Sequence, residues 1–246
     1  MSTKGIADVV FCLDASSSMS PCIDGVRGHI GDFLAGIKSN TQLSWDLRLD
    51  FVAYSATDRH LSEARRKADV PQVVHRSVFH DDLVGPLYLG QQGRFFTQDT
   101  GEFQRALDRV PPDGNEATLI ALDFALDFPW RDGRTCHRAV ILLTDEPFEG
   151  GAYREIQKAK VQALIKKIQQ LKVMLFLIAP DSPVYNHLAM VDRSEYEVVD
   201  GGDGLESVDF GAALSYIGKS LSVSLLQGTT EATARRALFG QDHWPL

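Results

Sequence analysis

The sequence has few cysteines and no arrangement of them that would stabilise a fold. Its 246 residues contain three, Cys12, Cys22 and Cys136, an odd number without the spacing of a zinc site or of a disulfide framework. This excludes a disulfide-rich secreted scaffold. We therefore expect a soluble protein of a reducing compartment, the cytoplasm.

Long hydrophobic runs and an excess of basic residues are also missing. No apolar run is long enough to span a bilayer, and residues 1–8 lack the layout of a signal peptide, so we expect no membrane partner. With 25 Lys and Arg against 33 Asp and Glu, the formal net charge is −8, which argues against nucleic acid as a partner. The length suffices for one large α/β domain or two small ones, with a buried core.

Short apolar runs alternate with helical patterns along most of the chain. The runs predict strands at about 9–13, 47–54, 139–144, 173–179 and 196–199. Apolar residues at helical spacing predict helices at about 21–38, 100–110, 118–128, 153–170 and 206–226. This alternation is typical of a doubly wound, mostly parallel central sheet with helices on both faces.

We predict one domain over residues 1–227, which carries an irregular insertion at one edge of the sheet over residues 57–98. Within the insertion, residues 73–79 and 94–97 are compatible with short strands. The polar residues of this segment lack any recognised ligand spacing, and we interpret them as surface residues: His75, His80, Asp81 and Asp82.

Residues 228–246 form a predicted C-terminal tail with a short helix that begins near Glu231. A helix of this length is marginal in water, so it must dock to be ordered. Phe239 and Trp244 are the candidate anchors, either on the tail's own domain or on a partner or second subunit.

Three oxygen-bearing side chains follow the first predicted strand at a spacing of two: Asp14, Ser16 and Ser18. In an extended loop, residues two apart point the same way, and ligands of α/β sheets bind beyond the carboxyl ends of the strands. One carboxylate and two hydroxyls suit Mg²⁺ or Mn²⁺. Alternatively, the stretch is a polar turn that caps the next helix, for which Ser20 followed by Pro21 fits well.

Two more polar residues are predicted at the same edge of the sheet. Thr118 opens a helix after a glycine-containing loop, and Asp145 ends a buried strand. Alone, Thr118 fits a helix cap better than a ligand. The full set resembles the metal-ion-dependent adhesion site of the von Willebrand factor type A family: Asp14, Ser16, Ser18, Thr118 and Asp145. The order of elements over residues 6–226, and the stretches 51–55 and 142–145, resemble that family too.

The resemblance implies a stand-alone intracellular domain that is not an enzyme. It implies direct metal contacts from Ser16 and Ser18, whereas Asp14, Thr118 and Asp145 contribute directly or through water. The ion would be Mg²⁺, with Mn²⁺ or Ca²⁺ as alternatives, and an Asp or Glu of a protein partner would complete its shell. Similar intracellular domains accompany MoxR-type AAA+ ATPases or kinase and phosphatase systems.

Two departures from the family pattern and two alternative functions remain. Glu146 and Pro147 follow Asp145 where many relatives have glycine, and the insertion between Tyr54 and Asp99 has no counterpart in the minimal domain.

A phosphohydrolase of haloacid-dehalogenase type also places an aspartate after its first strand. It needs a second aspartate two residues later, where Ser16 stands. A structural domain with an unoccupied site is the other alternative.

Overall fold

The computed structural model describes residues 3–39, 43–56, 71–85, 87 and 93–226. Its strands are β1 (Thr3–Asp14), β2 (Leu43–Ala56), β3 (Val73–Arg76), β4 (Leu83–Val84), β5 (His137–Leu143), β6 (Val173–Ala179) and β7 (Ser194–Val198). Its helices are α1 (Ser20–Lys38), α2 (Thr100–Leu107), α3 (Thr118–Leu126), α4 (Arg154–Leu171), α5 (Pro183–Ala189) and α6 (Phe210–Leu226). Among the described residues, no helix combines the length and the apolar character needed to cross a membrane.

The strands form one sheet in the order β4-β3-β2-β1-β5-β6-β7. β1 lies near its centre and pairs in parallel with β2 on one side and with β5 on the other, and β6 and β7 continue the parallel part. At the edge beyond β2, the pairings of β2 with β3 and of β3 with β4 are antiparallel. The predicted doubly wound, mostly parallel sheet is therefore confirmed.

Both faces of the central strands are covered, which explains their continuous apolar sequences. On one face, Phe11 of β1 packs against Phe33 of α1 and Phe103 of α2, with ring centroids 5.5 Å apart in each pair. On the other face, Val10 and Cys12 lie in a core with residues of α3 and α4. Cys12, Cys22 and Cys136 are all buried and free.

The start of α1 differs from the prediction. Met19, not Ser20, is the capping residue, and no side chain caps the helix. Met19 is completely buried and its N–H donates to the Ser16 carbonyl at 3.1 Å. Burial of Met19 fixes where the helix begins, so Ser20 becomes its first residue.

The insertion is anchored by the buried carboxylate of Asp50 on β2. Asp50 Oδ1 accepts the N–H groups of Phe51 at 2.8 Å and Val78 at 2.9 Å, and Oδ2 accepts that of Phe96 at 2.8 Å. Burial raises the pKa of Asp50 to about 6, although these bonds oppose the shift. Of the predicted strand at 94–97, only Thr97 makes an isolated bridge to β2, because Phe96 has a positive φ of 61°.

The interpretation of His75 as a surface residue is wrong. Its ring is 1% exposed and stacks on Phe124 of α3, with ring centroids 4.0 Å apart. Burial lowers the pKa of His75 to about 3, so the ring is neutral near pH 7. The reason is that β3 extends the sheet over α3, which turns one face of the insertion into core.

Other differences are local. The strand predicted at 73–79 ends at Arg76, where Ser77 and His80 close a turn. α5 was not predicted, and α6 begins four residues later than expected because a glycine-containing loop precedes it. Residues 57–70 of the insertion and the tail from residue 228 lie outside the described residues.

Candidate metal site

The predicted site residues lie where the sheet changes its direction of winding. From β1 the chain crosses to β2 on one side, and from β5 it crosses to β6 on the other. Asp14 is the last residue of β1, and Asp145 lies two residues beyond β5. Ligands of open α/β sheets bind at such a switch point, outside the carboxyl ends of the strands.

The loop after β1 brings three of the predicted side chains together. Ser16 N–H donates to Asp14 Oδ1 at 2.8 Å, and the hydroxyl oxygens of Ser16 and Ser18 are 3.3 Å apart. Neighbouring ligands of an octahedral Mg²⁺ lie about 3 Å apart, so the hydroxyl pair has a suitable spacing. Asp14 and Ser16 are buried whereas Ser18 is exposed, so the set opens to solvent at Ser18.

The Asp14 carboxylate is buried without a compensating cation. Its second oxygen, Oδ2, accepts the Thr144 hydroxyl at 2.8 Å, and Thr144 Oγ1 accepts the Glu146 N–H at 3.3 Å. Burial raises the pKa of Asp14 to about 7, the bonds from Ser16 and Thr144 oppose this, and the charge of Glu116 adds to it. No Lys, Arg or His forms an ion pair with Asp14 among the described residues.

Thr118 is the first residue of α3, but it does not cap the helix. The capping residue is Ala117, which has no side chain that could accept a hydrogen bond from the N–H groups of the first turn. Instead, the buried Gln157 of α4 accepts the Leu119 N–H at 2.7 Å and so fixes the first turn. The Thr118 hydroxyl accepts a hydrogen bond from Tyr54 at 3.0 Å, and Tyr185 Oη lies 3.4 Å from it.

Asp145 is held by the loop that leads into α6. Its Oδ2 accepts the Gly204 N–H at 2.8 Å, and its carbonyl accepts the Gly202 N–H at 2.9 Å. A Cβ on Gly204 would fall 2.2 Å from the Ser18 carbonyl, and the residue has φ +61°. Only glycine therefore lets this loop lie between Asp145 and Ser18.

Two further carboxylates surround the site. The pKa of Glu146 is raised by burial and then by the charges of Glu116 and Asp145. The Glu146 side chain lies over Gly150, where a Cβ would meet Glu146 Oε1. Glu146, directly after Asp145, thus adds negative charge to this edge of the sheet.

The donor set fits a hard divalent cation better than a transition metal. Among the described residues, no group of three or more His, Cys, Asp or Glu is placed to hold a metal. A cation here must use hydroxyl oxygens, which suit Mg²⁺ more than zinc. Direct contacts join Asp14 to Ser16 and Ser16 to Ser18. The Gly204 loop lies between Asp145 and Ser18. The Thr118 hydroxyl is hydrogen-bonded to Tyr54, which pairs with Asp14 across β1 and β2.

Sequence reasoning missed the residues that hold these ligands in place: Tyr54, Thr144, Gln157, Tyr185 and Gly204. Two had a readable signal, because Tyr54 ends the strand predicted at 47–54 and Thr144 directly precedes Asp145. Tyr185 and Gln157 had none, since each lies on a helix whose packing the sequence does not specify.

Comparison with known proteins agrees with this architecture at the level of the fold. No protein-family model matches the sequence, and no curated protein matches it. Solved structures do match: one described as von Willebrand factor type A from Catenulispora acidiphila is 13% identical, with a TM-score of 0.54, over 89% of this chain and 43% of that chain.

A second solved structure is the pilus adhesin SpaC from Lactobacillus rhamnosus GG in an open conformation. It is 15% identical, with a TM-score of 0.50, over 89% of this chain and 30% of that chain. The chain thus spans less than half the length of these two proteins. At such identities the shared feature is the fold, and this chain has the fold of a von Willebrand factor type A domain.

Proposed function

We propose that this chain is a member of the von Willebrand factor type A family that binds a protein partner through a divalent cation. The cation would be held directly by the hydroxyl oxygens of Ser16 and Ser18, and directly or through water by Asp14, Thr118 and Asp145. The observation that carries the proposal is the buried Asp14 carboxylate, which has no cationic partner among the described residues and lies beside a hydroxyl pair that opens to solvent. Buried charges in proteins are paired or coordinate metals.

The surrounding charges favour binding that depends on the metal. Glu116 and Glu146 make this edge negative, so it repels an acidic partner when no cation is bound. A bound Mg²⁺ supplies positive charge and an open position for an Asp or Glu oxygen of the partner. Mn²⁺ and Ca²⁺ are the alternative ions. The partner would be part of an intracellular system built around a MoxR-type ATPase or a kinase and phosphatase pair.

The site is tested by calorimetric titration of Mg²⁺ into the wild-type chain and into Asp14→Ala and Asp145→Ala. We expect binding to be lost in both variants while both stay folded, because each side chain lies at the rim of the core. Asp132→Ala is the matched control, since Asp132 is an exposed aspartate paired with Arg134 away from the site, and it should bind Mg²⁺ normally. Unchanged binding in both site variants would contradict the assignment.

The role of the metal in partner binding needs a separate experiment. Co-purification from cells, with Mg²⁺ or with a chelator, should recover a partner only when Mg²⁺ is present. The same partner should be missing from the Asp14→Ala sample and retained by Asp132→Ala. A partner recovered equally with chelator would show that association does not use the cation.

We also propose that the chain is not a phosphohydrolase. Ser16 occupies the position where such an enzyme needs a second aspartate, and its N–H and hydroxyl are directed to Asp14 and Ser18. The purified protein should therefore not hydrolyse generic phosphate esters with Mg²⁺. Turnover that disappears in Asp14→Asn would reverse this conclusion.

A further inference from the structure

Two buried tyrosines meet the hydroxyl of Thr118 from inside the protein. Tyr54 pairs with Asp14 across β1 and β2 and is 0% exposed, whereas Tyr185 lies on α5 and is 1% exposed. Tyr54 Oη donates to Thr118 Oγ1 at 3.0 Å, and Tyr185 Oη lies within donating distance at 3.4 Å. Within the described residues no other bond engages Thr118 Oγ1, so the two phenols control this hydroxyl.

A threonine hydroxyl has two acceptor lone pairs and one hydrogen. If both tyrosines donate to Thr118 Oγ1, both lone pairs are engaged and the oxygen has none left for a metal. Its own hydrogen then remains free to point into the site. Thr118 would act on the cation from outside its coordination shell, in contrast to the hydroxyls of Ser16 and Ser18.

The Tyr185 hydroxyl has a second acceptor within reach, so its hydrogen bond can change from one acceptor to the other. Its single hydrogen is shared between Thr118 Oγ1 at 3.4 Å and the Glu146 carbonyl at 3.3 Å. The ring is packed edge-on against Phe148 and Tyr196, with centroids 6.4 Å apart in each pair. The ring therefore stays in place and only the hydroxyl hydrogen has to rotate.

We propose that Tyr54 and Tyr185 are positioning residues that decide whether Thr118 binds the cation directly. With both phenols directed at Thr118, the threonine stays outside the coordination shell. When Tyr185 donates to the Glu146 carbonyl instead, one lone pair of Thr118 is released and its oxygen can replace a metal-bound water. This inference rests on the proposed metal site and goes beyond it.

The test counts the water molecules bound to Mn²⁺ in the full chain, by electron–nuclear double resonance in ¹⁷O-enriched water. In the wild type we expect Thr118→Val to leave the number of bound waters unchanged, because Thr118 is not a ligand there. Tyr185→Phe should lower the number by one, since the freed Thr118 oxygen takes a coordination position. Adding Thr118→Val to Tyr185→Phe should restore the wild-type number.

Tyr196→Phe is the matched control. Tyr196 also donates to a backbone carbonyl, that of Pro180, and packs on Tyr185, but it does not reach Thr118. Its loss should leave the number of bound waters unchanged. Tyr54→Phe removes the shorter bond to Thr118 and should lower the number by one, which keeps the test independent of how well Tyr185→Phe folds.

The outcomes separate this inference from the metal site itself. If Mn²⁺ binds but Thr118→Val alone adds a bound water, Thr118 is already a ligand and the inference is wrong. It is also wrong if both tyrosine variants keep the wild-type number. If the wild-type chain binds no Mn²⁺ at all, the proposed function fails and the inference fails with it.

Discussion

Asp8 and Asp14 lie on the same strand and are both completely buried, yet their surroundings are opposite. Asp8 accepts hydrogen bonds from Arg48 at 2.8 and 2.6 Å and from the Nε of Arg131 at 2.8 Å. Burial alone would raise the pKa of Asp8, but the bonds from the two arginines outweigh it and the pKa is lowered. Among the described residues, Asp14 has neutral donors, the Ser16 N–H and hydroxyl and the Thr144 hydroxyl, and burial raises its pKa to about 7.

The comparison distinguishes a structural carboxylate from one that is available to a ligand. Both residues are equally hidden from water, so burial does not separate them. What differs is whether the fold itself supplies the positive charge. Near Asp8 it supplies two guanidinium groups, whereas none of the described residues places a positive charge against Asp14, which is the condition for a binding site.

The largest effect is expected at Asp8. Asp8→Asn should lower the free energy of unfolding by about 3–5 kcal/mol, because it removes the carboxylate that pairs with the partly buried Arg48 and leaves Arg131 with its pair to Asp46. Chemical denaturation followed by circular dichroism measures it. Asp132→Asn, which breaks an exposed pair with Arg134, is the control and should leave the melting temperature unchanged. Equal free energies of unfolding for the two variants would show that the pairs of Asp8 with Arg48 and Arg131 do not stabilise the fold.

The same contribution should depend on pH in one direction. Since the folded pKa of Asp8 lies below its ordinary value of 3.8, its ionised form stabilises the fold above that value. The contribution is lost as the pH falls through the lower folded pKa. The difference in stability between wild type and Asp8→Asn should therefore be full at pH 7 and shrink below about pH 4. A difference that grows on acidification would contradict the assignment.

At Asp14 the same kind of substitution should change the free energy of unfolding in the opposite direction. Asp14→Asn removes an uncompensated buried charge, so it should stabilise the metal-free protein by about 1–3 kcal/mol. Added Mg²⁺ should raise the melting temperature of the wild type but not of the variant, because a ligand that binds only the folded state stabilises it. Melting curves with chelator and with Mg²⁺ test both statements. Destabilisation of the chelated variant would mean that Asp14 is structural, as Asp8 is.

The smallest effect is expected at Thr144, which orients Asp14 without contacting solvent. Thr144→Val removes its hydroxyl and should weaken Mg²⁺ binding about tenfold, as loss of a residue behind a metal ligand does. Thr135→Val is the control, because the Thr135 hydroxyl bonds only to the Asp132 carbonyl in an exposed turn. Calorimetric affinities that are equal in the two variants would rule out an orienting role for Thr144.

The central sheet could be predicted from the sequence because its strands are short and apolar on both faces. β6 shows this most clearly, since all seven of its residues are buried. The positions of Asp14 and Asp145 followed from the same reasoning, because each lies at the carboxyl end of such a strand. Short elements were harder to find this way: the strand predicted at 73–79 is β3 with only four residues, and the two-residue β4 was not predicted.

The contacts around the ligands were beyond sequence reasoning for a different reason. Tyr185 lies 67 positions from Thr118, and Gly204 lies 59 positions from Asp145. Contacts of this kind depend on how α5 and the loop before α6 pack over the sheet, and no local pattern records that. Ser20 shows the converse, because a good capping sequence was overruled by the burial of Met19.

The anchoring of the insertion by Asp50 has an evolutionary consequence. Its carboxylate holds positions 78 and 96 through their main-chain N–H groups, which every residue except proline possesses. Selection for these two bonds therefore acts on the codon for Asp50 and only excludes proline at the other two positions. Among descendants of a common ancestor, the acid should persist while the attached segment diverges in sequence and length.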